Sequence, residues 1–198
     1  MLGVMVRRPD VVFLEGLDFF TQVTVQARPP DWERSSPCAG WRALDVVGHV
    51  GTAVRYGTAL LRGAAPTWRP MDPPGDAVGG DPTTWWATIA GPAHDAVGGV
   101  DLDRTVEGPM GPRTVGDGLA FPALDLFVHA WDLARSIGTS VVIPRDVIQF
   151  GHARVGAIPA RQVRSAGVFA DEVDPPAGAT DSDSFIAWTG RDPRWTSK

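Results

Sequence analysis

A chain of 198 residues, 43% hydrophobic and 21% charged, has the makeup of an ordinary globular domain and enough apolar material for one buried core. Its formal net charge of −5 leaves no basic excess to neutralise phosphates, which argues against a nucleic-acid partner. No apolar run approaches the roughly 20 residues that span a bilayer. Met1 to Asp10 lacks the apolar run and small-residue cleavage site of a secretory leader. The expectation is a cytoplasmic protein with no membrane partner. The single cysteine, Cys38, rules out an intrachain disulfide and a Cys-rich zinc site, and a lone cysteine is read first as a small buried hydrophobe.

In chain order, Pro9 stands at a plausible first helical position. Val12, Phe13, Leu14, Leu17, Phe20 and Val23 follow at amphipathic spacing, predicting a helix from Pro9 to Gln26 that Arg28-Pro29-Pro30 ends. Asp31 to Trp41 reads as a connecting loop with Ser and Pro as turn formers. A second helix is expected from Leu44 to Arg62, with Val46, Val47, Val50, Val54, Leu60 and Leu61 on its apolar faces and His49 among them. Gly48, Gly51 and Gly57 each cost about 1 kcal/mol relative to Ala in a helix interior, so a neighbouring helix or a ligand is expected to pack close there.

Gly63 to Gly80 reads as a long loop, and Asp81-Pro82 is a cap followed by a first helical residue for a helix through Trp85, Trp86 and Ile89. Gly91-Pro92 is expected to kink or break that helix before it resumes toward Val97. His94, beyond that break and beside Asp95, reads as a solvated residue. Arg104 to Glu107 and Arg113 to Val115 flank a Gly/Pro-rich turn and fit a short hairpin, with an irregular loop as the alternative. Gly116 to Gly118 lead into the third long hydrophobic helix, with Pro122 in its first turn or two. Pro144 starts a further helical stretch through Val147, Ile148 and Val155, in which His152 is a surface or packing residue. From Pro159 the tail is loop-like until Asp181 to Trp188, a segment with a capping carboxylate and with Phe185, Ile186 and Trp188 for docking. Four or so helices with short β content at most favour an up-and-down bundle.

The stretch Asp125 to Arg135 concentrates the chemistry. It has no Gly or Pro, and Gly138 follows as a C-terminal stop. On a helix, Asp125 and His129 lie one turn apart, separated by roughly 40° in azimuth, and Asp132 falls roughly 20° to the other side of Asp125. The remaining positions are almost all apolar, so this helix is largely buried. Ionisable groups in a buried helix need a partner, a hydrogen bond or a metal. Asp125 and His129 could be a hydrogen-bonded pair; a metal site requires another ligand from elsewhere. Asp132 either orients an imidazole or forms a salt bridge with Arg135.

Four runs line up along the chain: Pro37-Cys38-Ala39-Gly40-Trp41, Asp45-Val46-Val47-Gly48-His49-Val50, Asp125 through Ala134, and Gly190-Arg191-Asp192-Pro193 with Trp195. Together they resemble the DinB-like superfamily, in the branch of mycothiol-dependent maleylpyruvate isomerases and their uncharacterised metal-binding relatives. The resemblance implies a mainly α, single DinB-like domain: an up-and-down four-helix bundle over about residues 9–158, with a short hairpin or irregular insertion and a docked tail over 159–198. It also implies a divalent metal, most often zinc, at the open end of the bundle, held by His49, Asp125 and His129. Asp125 stands where the isomerases carry Glu; one methylene shorter, it brings a cation closer to its own backbone or reaches it through water.

Two imidazoles and a carboxylate suit zinc and leave a fourth position open, where a thiol loses its proton and becomes a nucleophile at neutral pH. The thiol is expected to be external, since Cys38 has no metal-ligand spacing; in the family it is mycothiol or another low-molecular-weight thiol. Arg55, Arg113 and Arg135 are candidates to hold its polar groups, while Arg191 and Trp195 are expected to pack the tail against the bundle. The leading expectation is a metal- and thiol-dependent isomerase or S-transferase acting on an electrophilic small molecule, as a monomer or homodimer. The alternatives are a hydrolase or lyase that activates water on the same ligands, and a non-enzymatic bundle that binds a small ligand or a partner.

Overall fold

Thr114 begins the helix that organises the molecule: its hydroxyl accepts the Asp117 N–H, satisfying one of the free donors of the first turn. A computed structural model describes residues 7–64, 69–108, 111–156, 158–159, 163–164 and 169–197. The residues assessed for a leader, the hairpin tip at Pro109 and Met110, and parts of the loop after Gly63 and of the tail lie outside them in whole or in part. In the numbering used below, the helices are α1 (Pro9–Thr24), α2 (Ala43–Leu61), α3 (Pro82–Ala96), α4 (Val115–Ile137), α5 (Arg145–Val155) and α6 (Asp181–Trp188), and the strands are β1 (Thr105–Gly108) and β2 (Gly111–Thr114).

Helix α4 ends as expected at Gly138, whose φ of 80° is the left-handed conformation that glycine adopts without strain. The Thr139 N–H then reaches back to the Ala134 carbonyl. Its start is earlier than the sequence suggests. Gly116 and Gly118 lie inside the helix; at Gly118 the Leu60 side chain approaches too closely for a larger residue to fit without adjustment, whereas at Gly116 the Leu102 carbonyl is only in ordinary contact.

Helix α3 differs from expectation in one respect: it runs unbroken through Gly91-Pro92. Proline removes a single backbone donor close to the end of this helix, and Ala90 and Ala93, on either side, are held in the same core. His94 therefore sits on α3 itself, with Nε2 3.1 Å from the Asp18 carboxylate of α1. The hairpin forms, antiparallel, with Thr105 opposite Thr114 and Gly108 opposite Gly111. Short 3₁₀ turns appear at Pro29–Glu33, across the expected end of the first helix and the start of the loop after it, and at Pro74–Ala77, inside the second expected loop. The capping carboxylate of α6 is Asp183, which accepts the Thr180 N–H while the Thr180 hydroxyl accepts the Asp183 N–H. His152 is a packing residue, its ring 4.5 Å from Trp188 and 5.4 Å from Phe185.

Helices α1 and α2 each pack against both α4 and α3, which makes a four-helix bundle in which α1 and α2 occupy one diagonal and α3 and α4 the other. Phe13, Leu17, Phe20, Trp86, Leu119, Leu126, Phe127 and Trp131 fill the space between them, and α5 and α6 pack on each other beside α4. No helix among the described residues is long and apolar enough to cross a membrane.

The beginning of α2 is fixed by Asp45, which accepts N–H bonds from Arg42 and from Gly75 at 2.8 and 2.9 Å. The second bond draws the Pro74–Ala77 turn onto α2, and Gly48 is where the Pro74 carbonyl meets the helix; a Cβ there would overlap that backbone oxygen. Gly48→Ala is therefore expected to destabilise the fold by about 1–3 kcal/mol, even though alanine is the better helix former by about 1 kcal/mol. Urea unfolding checks this, and an unchanged or raised midpoint would count against the close approach.

Candidate metal centre

Seven residues into α2, His49 faces the middle of α4, where Asp125 and His129 stand one turn apart. His49 Nε2 is 3.2 Å from Asp125 Oδ2, and His129 Nε2 is 3.7 Å from Asp125 Oδ1. The two imidazole rings meet edge to face with centroids 4.7 Å apart. One donor atom from each of the three residues falls within 4.8 Å of the others. Three of the four vertices of a tetrahedron around zinc, with metal–ligand bonds of about 2.0–2.2 Å, stand roughly 3.4 Å from one another. The donor set and its spacing therefore fit a divalent cation, and the shorter side chain of Asp125 still reaches both imidazoles. His49 and Asp125 are each about one-fifth exposed, whereas His129 is buried, so the cluster opens to solvent on its His49–Asp125 side.

Behind His129 lies a second group. Asp132, fully buried, accepts from His129 Nδ1 at 2.9 Å, which fixes the ring and directs Nε2 toward Asp125. The same carboxylate accepts from Arg191 Nε at 3.2 Å and Nη2 at 3.0 Å, and from the Cys38 thiol at 3.2 Å. Burial pushes the Asp132 carboxyl up, but Arg191 and His129 outweigh it and hold the group well below the usual carboxylate range. Burial likewise works against the Asp125 carboxylate and is overcome by His129 and His49. For His129 burial wins and favours the neutral imidazole, the form that can ligate a metal. Burial together with Asp132 pushes the Cys38 thiol up, so this cysteine stays protonated.

Cys38, His129 and Asp132 also bring donor atoms within 4.8 Å of one another. There, however, the Arg191 guanidinium stands where a cation would be and neutralises Asp132. In the His49–Asp125–His129 group the Asp125 carboxylate is the one anionic side chain. The second group is thus a support and the first a candidate for coordination.

Of the two partners open to Asp132 in the sequence, an imidazole and Arg135, the structure sets the His129 imidazole beside it, 2.9 Å away. Its ion-pair partner is Arg191, not Arg135, because the Arg135 side chain lies over Trp131 and donates to the Pro193 carbonyl. Arg191 does more than pack the tail, and Cys38 is no isolated hydrophobe. Both belong to runs that stand out in the sequence, but their contacts join positions 38, 132 and 191, which no local spacing relates. Arg55 lies over Trp85 and lines an open depression of about 350 Å³ between α2 and α3. Arg113 sits against Gly118, on the order of 10 Å along α4 from Asp125 at 1.5 Å per residue.

The loop before α2 supplies one wall. Ser36 and Trp41 pair through the Ser36 N–H to Trp41 O bond at 2.9 Å, and the Trp41 N–H donates to the Cys38 carbonyl at 3.0 Å. This turn sets the Trp41 indole 5.1 Å from the His49 ring and 6.1 Å from His129, nearly parallel to the latter at 24°.

The bundle and the family match place the protein among the DinB-like helical bundles. The chain belongs to the family of mycothiol maleylpyruvate isomerase N-terminal domains, whose family model matches residues 13–134. Two uncharacterised proteins of Mycobacterium tuberculosis, from two strains, are each 29% identical to it over 177 residues, covering 88% of this chain and 92% of theirs. Crystal structures of the mycothiol-dependent maleylpyruvate isomerase and of a single-site mutant of it superpose with a TM-score of 0.63 at 13% identity, covering 86% of this chain and 77% of those. At that identity the likeness establishes the fold.

Proposed function

We propose that this protein is a divalent-metal enzyme that uses a low-molecular-weight thiol of the mycothiol type to isomerise, or transfer sulfur to, an electrophilic small molecule. The observation that carries the reading is the convergence of His49 from α2 with Asp125 and His129 from α4, the far nitrogen of His129 already engaged by Asp132. When bound there, zinc supplies an open coordination position and lowers the pKa of a coordinated thiol. His49 and His129 offer neutral lone pairs, and Asp125 offers charge compensation. Asp132 keeps the His129 proton on Nδ1, and Arg191 keeps Asp132 ionised. Cys38, protonated and engaged behind His129, does not compete as nucleophile, which is why an external thiol is needed. The family membership supports the thiol and a small-molecule substrate.

Elemental analysis of protein purified without chelator is expected to give about one divalent ion per chain. Turnover of an activated olefin is expected to require both that ion and an added thiol, falling at least 100-fold when either is removed. Turnover that needs the metal but ignores thiol would point instead to a water-activating enzyme. Metal-free protein whose melting temperature ignores chelator would leave only a binding bundle.

A further inference from the structure

We propose that the acceptor this site takes is an uncharged, flat electrophile laid against the Trp41 indole, and not a polycarboxylate. The inference rests on the metal and thiol reading above and adds the charge and shape of the second substrate.

The first ground is the arrangement of cationic groups. Anionic substrates with two carboxylates are held by guanidinium groups free to pair with them. Among the described residues, the guanidinium groups on the segments that support the site each pair with another group of the protein, Arg34 and Arg42 at its surface. Arg191 holds Asp132 at 3.0 Å. Arg42 bridges Glu33 at 2.8 Å and Asp45 at 3.2 Å. Arg34 lies 3.3 Å from Asp31, and Arg135 donates to the Pro193 carbonyl. A divalent cation facing the Asp125 carboxylate and one thiolate sums to zero charge, so no net positive field remains for a dianion. A carboxylate brought in beside the indole would lose its water without gaining an ion-pair partner.

The second ground is the wall. Trp41 is within 5.1 Å of one imidazole and 6.1 Å of the other, so a molecule that reaches the point both imidazoles face also meets the indole. The Ser36–Trp41 turn is tied down at its middle by the bond from the Cys38 thiol to Asp132, so this surface is ordered before anything binds. A rigid aromatic face selects flat, conjugated, weakly polar partners.

For a cis-olefin diester the chemistry closes without another reagent. The thiolate sulfur bonds to one olefinic carbon while the π pair moves onto the opposite ester as an enolate. Rotation about the resulting single bond follows, and the enolate pair then re-forms the double bond and expels the thiolate. Nothing is oxidised or reduced, and the thiol is regenerated.

Dimethyl maleate and the maleate dianion share one carbon skeleton and differ in charge. Their binding to the full-length protein, as purified and after metal loading, can be followed by saturation-transfer NMR without any turnover. The diester is expected to bind at least about ten-fold more tightly than the dianion. Trp41→Ala is expected to weaken diester binding about five- to ten-fold, with Trp41→Phe retaining most of it and metal content equal in all three proteins. Equal or tighter binding of the dianion, no binding of either probe, or diester binding indifferent to Trp41→Ala each overturns the proposal. Failure of the metal and thiol reading shows separately, as protein without metal or turnover of neither probe on adding thiol.

Discussion

His129→Ala protein is expected to fold, to purify without stoichiometric metal, and to bind zinc at least 100-fold more weakly than the parent, a larger loss than the 10–100-fold typical when a group supporting a ligand is removed. The imidazole contributes on two sides: Nε2 lies toward Asp125 and Nδ1 is held by Asp132. Its removal deletes one of three protein ligands, and two ligands do not hold zinc against water. The fold should survive, because the Asp132–Arg191 pair remains satisfied without His129 and the lost volume borders the Trp41 wall and the solvent-facing side of the site. His49→Ala should lose metal equally, and because its side chain is one-fifth exposed the cost in stability should be smaller. Elemental analysis paired with melting curves in the presence and absence of chelator gives the answer. Full metal content in both variants would remove the ligand assignment and everything built on it.

Much of this arrangement is legible in the sequence, for reasons that differ by element. The pairing of Asp125 with His129 follows from helical period alone, because residues four apart share a face whatever else the chain does. The stop at Gly138 is legible because only a residue comfortable at positive φ ends a helix that way. That His49 comes to meet them is not a local property. It depends on α2 lying beside α4, and apolar periodicity says which face of a helix is buried without saying which helix buries it. Here the family resemblance supplied what periodicity could not.

The parts that escaped a local reading all involve partners distant along the chain. Arg135, three residues from Asp132, is the cation that helical spacing offers; Arg191 is the one that tertiary structure delivers, on a tail whose turn depends on Gly190 at a φ of 89°. Cys38 looked inert because it lacks any ligand spacing, yet the Ser36–Trp41 turn aims its sulfur at Asp132. Pro92 looked like a break because propensity penalises proline inside a helix, but packing of Ala90 and Ala93 overrides a single missing hydrogen bond. At Pro92 the tertiary packing outweighs a helix-propensity cost of about 3 kcal/mol.

Asp132→Ala is expected to be the most destabilising change at the site, at about 3–5 kcal/mol, because it strands the Arg191 guanidinium in the interior without a counter-charge. The carboxylate is fully buried and accepts from three different side chains, so no water can take its place without rearrangement. Arg191→Met should cost somewhat less, since His129 Nδ1 and the Cys38 thiol remain as hydrogen-bond donors to Asp132. The double variant Asp132→Ala/Arg191→Met should recover a substantial part of the loss, because replacing both members of a buried pair removes the stranded charge itself. Since the folded-state carboxyl lies below its ordinary pKa of about 3.9, the pair's contribution is present in full above about pH 4 and is lost only as acid drives the folded group to protonate. The single-to-double comparison should therefore look the same at pH 6 and pH 8. Metal affinity separates the two functions of the carboxylate: every variant lacking Asp132 should bind zinc about 10–100-fold more weakly, as the His129 N–H loses its acceptor, whereas Arg191→Met should fall less. If the double variant is as unstable as the sum of the singles, the pair is not coupled, and Asp132 acts on His129 without help from the tail.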